Sequence, residues 1–319
     1  MDALIKKLDK NISAMVRISM LHLLQLGLKY GIFARLASPQ SRGDILTSVP
    51  IGNKALLRNL INTYIEMGII KESGGKLILD EFSYTLNISP ENIPYITPGW
   101  VPIFEEIYRM VDYASITPEH PKVLMDFDKD ADFWDMRLSL ESNSLYREII
   151  AKAGGLKDEM RVLDLGCGSV SPVEIGQHVG PNGEYVGIDF SPGILSIAES
   201  RIRSSGMDWV SLRELDIRKI IPKRRYDAVI MSFILEYVDS INRVVKIAMD
   251  ALEDGGKLII VEPFRENYPN ICAWEFFERL TKDFVRFPSR GAVLNALEAS
   301  GGNFRIKELG SSVLLITKI

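Results

Sequence analysis

The stretch Val162-Leu-Asp-Leu-Gly-Cys-Gly168 decides how the rest of the chain is interpreted. Its apolar residues predict a buried strand, and the strand runs into two glycines spaced one residue apart. Glycine lets a backbone turn sharply and approach a ligand closely, because it has no Cβ. The stretch therefore predicts a ligand-binding turn at the end of a strand. Gly-x-Gly by itself is typical of several kinds of nucleotide site.

Acidic residues follow at two places where a nucleoside-binding α/β domain would use them. Asp189 ends the next apolar run, Tyr185-Val-Gly-Ile-Asp189, and Asp216 ends the run after that. Open α/β sheets bind ligands at the carboxyl ends of their strands. We expect Asp189 to meet ribose hydroxyls and Asp216 to reach an exocyclic amine of a base. Either acid alone could instead cap the helix that follows, and Ser191 is a second candidate for such a cap.

Strand and helix patterns alternate from residue 158 to the end of the chain. Strands are predicted at 161–166, 184–189, 210–215, 226–232, 256–262, 304–309 and 312–318, with helices between the first six. This alternation predicts a mostly parallel sheet covered on both faces. The last two strands are separated only by Gly310 and Ser311, which predicts an antiparallel hairpin. An ordinary dinucleotide fold does not end in this way.

The chain before this sheet divides into two further segments. Residues 1–90 predict a long amphipathic helix at 11–37, helices near 43–48 and 53–67, and a hairpin around Gly74-Gly75, in the order of a winged-helix unit. The region from about Pro90 to Lys157 contains prolines at 90, 94, 98, 102, 118 and 121, and an aromatic and acidic run from Phe127 to Met136. We interpret this region as short linking helices. The predicted domains are thus 1–90, 91–157 and 158–319.

Bulk properties exclude several classes of protein. The 319 residues are 46% apolar and 25% charged with a formal net charge of −4, as in an ordinary globular protein and unlike a dedicated nucleic-acid binder. Cys167 and Cys272 are too few for a disulfide framework and lack the spacing of a zinc site. No signal peptide is evident, and the most apolar stretch is too short to span a bilayer. We expect a cytoplasmic protein without a metal.

These motifs resemble a known family. The glycine turn, Gly187-Ile-Asp189, Leu215-Asp216, Tyr226-Asp-Ala-Val-Ile and Leu252-Glu-Asp-Gly-Gly-Lys-Leu-Ile-Ile-Val-Glu262 are similar to those of class I S-adenosylmethionine-dependent methyltransferases, over residues 145–319. The segment before them resembles, more loosely, the dimerisation domain of the small-molecule O-methyltransferases. The resemblance implies a Rossmann-like seven-stranded sheet and S-adenosylmethionine as cofactor. It also implies methyl transfer to a hydroxyl, thiol or amine of a small, apolar or aromatic molecule.

The resemblance assigns a part of the cofactor to each of several residues. It places Asp164, Gly166 and Gly168 around the methionine portion, Asp189 at the ribose, Phe190 beside the adenine, Asp216 and Ile217 at the adenine edge, and Ser232 beside the sulfonium. Val170 stands where the family often has a third glycine, which narrows the loop. The long apolar face of the N-terminal helix, together with the resemblance, predicts a homodimer.

Glu236 occupies the position at which plant-type O-methyltransferases carry a histidine that deprotonates the acceptor hydroxyl. A carboxylate serves as a base if burial raises its pKa towards neutrality. It could instead orient the acceptor, or be a helix-start carboxylate with no chemical role. None of His22, His120 and His178 is an evident replacement for the missing histidine.

Aromatic side chains near these motifs favour an apolar or aromatic acceptor. The candidate substrate contacts are Phe133, Trp134, Arg137, Phe233, Tyr237 and Trp274. Arg137 could meet a carboxylate of the substrate or of the cofactor, or form a surface ion pair.

Three rival functions stay open on the sequence. A nicotinamide-dependent dehydrogenase would need glycine where the chain has Ser171. A winged-helix DNA-binding regulator would need a more basic recognition helix than one with Lys54 and Arg58 as its cations. A protein that binds S-adenosylmethionine without catalysing methyl transfer is the third alternative.

Overall fold

A computed structural model of the chain describes residues 1–85, 99–116, 125–222 and 225–319. The chain forms two compact units. One comprises Met1–Asn11, Asp126–Asn267 and Asp283–Ile319, and the other comprises Ile12–Met125 and Tyr268–Lys282. These units interleave along the chain, whereas the sequence predicts three contiguous domains with boundaries after residues 90 and 157. Of the linker residues, the prolines at 90, 94, 98, 118 and 121 and His120 lie outside the described ranges.

The N-terminal elements follow the predicted order. They are α1 (Asp2–Lys29), α2 (Ile32–Arg35), β1 (Gln40–Ser41), α3 (Arg42–Ser48), α4 (Lys54–Glu66), β2 (Ile70–Ser73), β3 (Lys76–Leu79) and α5 (Trp100–Ile116). The helix predicted over 11–37 breaks after Lys29, because Gly31 adopts a left-handed backbone with φ of 65°. Gly74 and Gly75 both have positive φ, as a two-residue hairpin turn requires. β1 adds an unpredicted third strand that pairs with β3.

The remaining elements alternate strands with helices. They are α6 (Ala131–Leu138), α7 (Glu141–Gly154), β4 (Arg161–Leu165), α8 (Ser171–Glu174), α9 (Gly176–Val179), β5 (Glu184–Asp189), α10 (Pro192–Ser205), β6 (Val210–Glu214), β7 (Tyr226–Ser232), α11 (Ile241–Ala251), β8 (Leu252–Val261), α12 (Cys272–Glu278), α13 (Arg290–Ser300), β9 (Phe304–Leu309) and β10 (Val313–Lys318). Each strand predicted from residue 158 onwards is confirmed to within a few residues. The exception in length is β8, which begins four residues early.

The seven strands of this second group form one sheet in the order β6-β5-β4-β7-β8-β10-β9. β6, β5, β4, β7 and β8 run parallel to one another, and β10 runs antiparallel to both β8 and β9. The predicted C-terminal hairpin is therefore confirmed. β5 and β7 flank β4, so that the chain reverses its order of strands there. Ligands of open α/β sheets bind at such a reversal, beyond the carboxyl ends of the strands.

The helix predicted between β6 and β7 is wrong. Within the described part of this connection, the chain forms only a 3-10 turn at Ile217–Lys219. Pro222 follows closely, and proline both lacks the amide hydrogen of a helix and disfavours helical backbone at the residue before it. The connection therefore passes from one strand to the next without a covering helix in the residues described.

Candidate active site

The glycine turn follows β4 and is built for close approach. Gly166 and Gly168 have φ of 75° and 63°, which strains any residue with a side chain. A Cβ at Gly166 would lie 2.3 Å from Cγ2 of Ile234, and one at Gly168 would lie 3.1 Å from Cδ1 of Leu138. The amides of Gly166 and Cys167 both donate to the carbonyl of Ile188 on β5. The turn is thus fixed against the neighbouring strand, and both positions require glycine.

Asp189, at the end of β5, ties this turn to the start of α10. Its carboxylate accepts the amide hydrogens of Gly168 and Ser191, each at 3.0 Å. Ser191, and not Asp189, caps the helix, because its hydroxyl oxygen accepts the amide of Ile194. Burial raises the pKa of Asp189. A carboxylate oxygen accepts more than one hydrogen bond, so the group can also receive bonds from a ligand's hydroxyls.

Asp164 supplies a buried acceptor beneath the turn. The side chain is fully buried, and its Oδ2 accepts the hydroxyl of Tyr185 at 2.5 Å. Its Oδ1 has no hydrogen-bond partner among the described residues. Burial raises the pKa of Asp164 to about 7, while the hydrogen bond from Tyr185 and the charge of Arg147 act in the opposite direction. A buried acceptor of this kind is costly unless a donor meets it.

Phe190 and Asp216, two residues predicted to contact the adenine, have different surroundings. Phe190 is 43% exposed, which leaves most of one ring face or edge available at the end of β5. Asp216 instead forms an ion pair with Arg218, at 2.9 and 3.0 Å, and caps the turn of Ile217. This pair lowers the pKa of Asp216. Its carboxylate would have to be shared with an adenine amine, whereas Ile217 packs against the core of the sheet.

These features fit S-adenosylmethionine. The glycine backbone leaves space that a Cβ would fill, the unpaired Asp164 oxygen matches the ammonium of an amino-acid portion, and Asp189 stands between the ends of β4 and β5. Ser232 ends β7, on the other side of β4, and is largely buried at the same edge of the sheet. Throughout the described residues, no group of three or more His, Cys, Asp and Glu side chains could hold a metal ion.

Glu236 lies in the turn after β7 and is 3% exposed. Its side chain lies close to that of Glu262, the residue directly after β8. Oε1 of Glu262 also accepts the amide hydrogens of Ile234 and Leu235, each at 3.0 Å. Burial raises the pKa of Glu262 to about 7. The contacts of Glu262 were not predicted from the sequence, although an acid at the end of an apolar strand is a signal that could have indicated them.

An aromatic cluster lies beside this turn, and we define it as Phe127, Trp134, Phe190, Tyr237 and Phe284. Phe127 stacks on Trp134 with ring centroids 4.4 Å apart, and it meets Phe190 and Tyr237 edge-on at 5.4 and 5.2 Å. Tyr237 meets Phe284 in the same way at 5.7 Å. The structure brings together Trp134 and Tyr237, two of the candidate substrate contacts, through the ring of Phe127. Phe127 and Phe284 were not among the predicted contacts.

Arg137 is 6% exposed, and its guanidinium carbon lies 4.3 Å from the ring centroid of Trp134. A cation over an aromatic face is attracted by the ring quadrupole. The arginine therefore belongs to the aromatic cluster's surroundings and not to the solvent-exposed surface.

The other predicted contacts are scattered. Phe133 is half-buried on α6, and Phe233 packs against Tyr146 at 5.1 Å. Trp274 belongs to the other compact unit, where its indole donates to Glu278 at 2.8 Å. His22 lies in that unit too, among Phe104, Tyr108 and Phe277, and burial lowers its pKa.

Comparisons with known proteins find a methyltransferase domain within the chain. A family model described as "Methyltransferase domain" matches residues 156–296. An uncharacterised protein of Methanocaldococcus jannaschii is 35% identical over 92% of this chain and 81% of its own length. The demethylmenaquinone methyltransferase of Bacillus cytotoxicus is 26% identical over 43% of this chain and 60% of its own length. The crystal structure of the CurJ carbon methyltransferase shares the fold, with a TM-score of 0.60 at 15% identity over 98% of this chain and 91% of that one.

Proposed function

Since the chain belongs to the class I S-adenosylmethionine-dependent methyltransferases, we propose that it methylates a hydroxyl, thiol or amine of a small, apolar or aromatic molecule. The observation that carries this proposal is the aromatic cluster, whose Phe190 directly follows β5 and whose Tyr237 follows Glu236. A ring system of an acceptor would pack against these side chains while its reactive group is directed to the strand ends.

S-adenosylmethionine supplies an electrophilic methyl group when it is bound. We propose that the backbone of Gly166 and Gly168 admits its methionine portion and that Asp164 accepts a hydrogen bond from its ammonium. Asp189 would accept hydrogen bonds from the ribose hydroxyls, and Phe190 would cover the adenine. Asp216 would contribute least, because Arg218 already occupies its carboxylate.

We further propose that Glu236 accepts the proton that the acceptor loses. In-line displacement gains much of its rate from holding the nucleophile about 3–3.5 Å from the carbon that it attacks. General-base assistance adds to that effect when a weakly acidic hydroxyl is the nucleophile. A thiol needs less help, because part of it is ionised near neutral pH.

A quinol-type ring is the second candidate acceptor, with carbon as the methylated atom. The observation that favours it is the similarity to the demethylmenaquinone methyltransferase, although the chain spans only 60% of that relative's length. The aromatic cluster suits a fused apolar ring as well as it suits a phenol.

The test is transfer of a labelled methyl group from S-adenosylmethionine by the full chain to a panel of phenols, thiols, amines and naphthoquinols. We expect turnover on at least one aromatic hydroxyl or thiol, inhibited by S-adenosylhomocysteine. Turnover on the naphthoquinols alone would replace the first acceptor class with the second. Binding of the cofactor without transfer to any compound would favour the non-catalytic alternative, and tight binding of a nicotinamide nucleotide in its place would favour the dehydrogenase.

We also propose a homodimer in the cytoplasm, formed through the N-terminal helices together with α5, which belongs to the same compact unit as most of α1. Leu28 at the end of α1 and Tyr113 and Ile116 on α5 are large apolar side chains that are each at least 70% exposed. Both cysteines are buried and neither forms a disulfide bond, as is usual in a reducing compartment. Sedimentation should give a dimer that Tyr113→Glu with Ile116→Glu dissociates. Ile221→Glu, at an equally exposed residue of the other unit, is the control. A wild-type monomer at micromolar concentration would contradict the proposal.

Within the described residues, no helix has both the length and the apolar character needed to cross a membrane.

A further inference from the structure

Residues 126–139 lie against the glycine turn that follows β4, and we call them the cover segment. The segment includes α6 and belongs to the same compact unit as the seven-stranded sheet. At one end, the ring of Phe127 meets that of Phe190 edge-on, with centroids 5.4 Å apart. At the other end, a Cβ on Gly168 would lie 3.1 Å from Cδ1 of Leu138. The cover segment therefore reaches from the residue assigned to the adenine to the glycine assigned to the methionine portion of the cofactor.

An ion pair holds the cover segment to the rest of the site. Asp135 of α6 binds Arg201 of α10 through both carboxylate oxygens, and the bond from Nη2 is 2.8 Å long. The same carboxylate accepts the hydroxyl of Ser169, the residue after Gly168, at 2.6 Å. Arg201 also donates to the carbonyl of Ser169 at 3.2 Å and to the hydroxyl of Ser139 at 3.1 Å. Because a bidentate pair fixes angle as well as distance, this pair joins the cover segment, α10 and the glycine turn in one arrangement.

The polar side chains assigned to the cofactor are nearly closed to solvent. Asp164, Asp189 and Ser232 are each at most 9% exposed. A ligand of the size of S-adenosylmethionine reaches or leaves such groups only when a neighbouring element moves. The strands that carry them, β4, β5 and β7, lie inside the sheet, where movement would break many contacts. The cover segment is held less firmly, since only three of its fourteen residues, all of which the structure describes, are buried.

Resting on the proposed function, we propose that the cover segment is a lid over the bound cofactor and that Asp135 and Arg201 are positioning residues that hold it closed. When their ion pair breaks, the segment and Ser169 are released together, and the turn at Gly168 opens for S-adenosylmethionine to enter or S-adenosylhomocysteine to leave. When the pair forms again, the turn returns to its binding geometry and water is excluded from the sulfonium. The ion pair thus controls the exchange of donor and product.

A lid contact and a merely structural contact have different effects on binding kinetics. If the ion pair stabilises the closed form equally with and without ligand, its loss raises the rate constants of association and dissociation by the same factor, and the dissociation constant stays the same. If the ion pair only supports the shape of the site, its loss speeds dissociation without speeding association. Faster association is therefore the result that distinguishes the lid.

Stopped-flow tryptophan fluorescence of the full chain with S-adenosylhomocysteine measures both rate constants. Asp135→Asn keeps an oxygen that can accept the hydroxyl of Ser169, yet it removes the charge that binds Arg201. We expect both rate constants to rise by about tenfold, since hydrogen bonds between charged groups contribute that much, and the dissociation constant to stay within about threefold. Arg201→Gln should behave alike. Glu148→Gln, which breaks the exposed ion pair of that glutamate with Lys152 on α7, should match the wild type. Faster dissociation with unchanged association, or no change in either rate constant, would overturn the proposal.

Amide hydrogen exchange of the full chain gives a second readout that needs no ligand. In Asp135→Asn, peptides from α6 should exchange roughly tenfold faster than in the wild type, whereas peptides from β4 should be unchanged, because only the cover segment opens. Equal exchange in the two proteins, or an equal increase in β4, would overturn the proposal. If S-adenosylhomocysteine does not bind the wild type, the proposed function fails, whereas hydrogen exchange still decides whether the ion pair holds the cover segment closed.

Discussion

The turn after β4 and the turn after β7 contain the same kind of bend, but different residues stabilise it. Each bends the chain through a left-handed residue at the end of a central strand, Gly166 in one and Phe233 in the other. Each also has a fully buried carboxyl group whose pKa burial raises to about 7, Asp164 and Glu262 respectively. The first turn uses glycine, which costs little in this conformation. The second holds a bulky residue in place with a carboxylate that arrives from the next strand.

The first turn can be recognised from neighbouring residues, whereas the second depends on a contact with a distant residue. The donor turn, which follows β4, needs particular residue types within a few positions of one another. The acceptor turn, which follows β7, needs Glu262, which is distant in sequence. Glu262 binds the amides of Ile234 and Leu235 and lies close to Glu236. We therefore expect substitutions at the donor turn to affect cofactor affinity and those at the acceptor turn to affect turnover.

Glu236→Gln should give the largest effect. Loss of the proton acceptor should lower kcat by about 10²–10⁴-fold on an alcohol or phenol acceptor, since general-base catalysis contributes that much. The affinity for S-adenosylhomocysteine, measured by calorimetry, should stay within about twofold, because the donor turn is untouched. Equal losses in affinity and kcat would show that the two turns are not separable.

Gly166→Ala should weaken S-adenosylhomocysteine binding by roughly 100-fold, since a left-handed alanine costs about 1–2 kcal/mol and a collision costs about 1–3 kcal/mol. The added Cβ would lie 2.3 Å from Ile234. Gly206→Ala is the matched control, because Gly206 has φ of 63° and no atom within 4 Å of the added Cβ. This variant has the backbone strain without the collision, so its affinity for S-adenosylhomocysteine should equal that of the wild type. Similar losses of affinity in both variants would refute the role given to close approach.

Glu262→Gln should change how stability depends on pH. The folded pKa of Glu262, about 7, lies above its ordinary value of 4.5, so the folded state gives up stability as pH rises through that interval. The variant removes this penalty. Chemical denaturation should find it more stable than the wild type by about 3 kcal/mol at pH 8 and nearly equal at pH 4.5. Glu148→Gln should follow the wild type. Parallel curves for Glu262→Gln and the wild type would contradict the raised pKa.

Phe190→Ala should give the smallest effect. Its ring is 43% exposed and meets Phe127 edge-on, and an aromatic contact contributes about 0.5–1.5 kcal/mol. Affinity for S-adenosylhomocysteine should therefore fall by about 2–10-fold. Leu215→Ala removes a comparably exposed apolar side chain after β6 and serves as the control. An equal decrease in both variants would mean that the adenine does not lie against Phe190.

Much of the fold follows from the sequence because its signals are local. Buried parallel strands such as β4 and β7 appear as apolar runs, and Gly310 with Ser311 marks the final hairpin. The interruption of the first helix was missed because the apolar pattern continues past Gly31. A helix was wrongly predicted before β7, because the regular alternation of strands and helices does not take Pro222 into account.

The candidate site could be predicted from the sequence to about the same extent as the fold. Gly166, Gly168 and Asp189 were located correctly at adjoining strand ends, since each ends or follows a recognisable strand. Asp216 also lies at a strand end, yet its own neighbour Arg218 takes its carboxylate. Phe127 and Glu262 were missed as site residues, because their partners come from distant parts of the chain. The periodicity of apolar residues indicates which face of a helix or strand a residue occupies, but it does not indicate which distant residue contacts it.

The most direct test of the central claim is a crystal structure of the full chain with S-adenosylhomocysteine. We predict that its amino-acid portion lies against Gly166 and Gly168 with its ammonium near Asp164, and that its ribose hydroxyls meet Asp189. Electron density for the ligand at any other place, or a ribose that makes no contact with Asp189, would contradict the account.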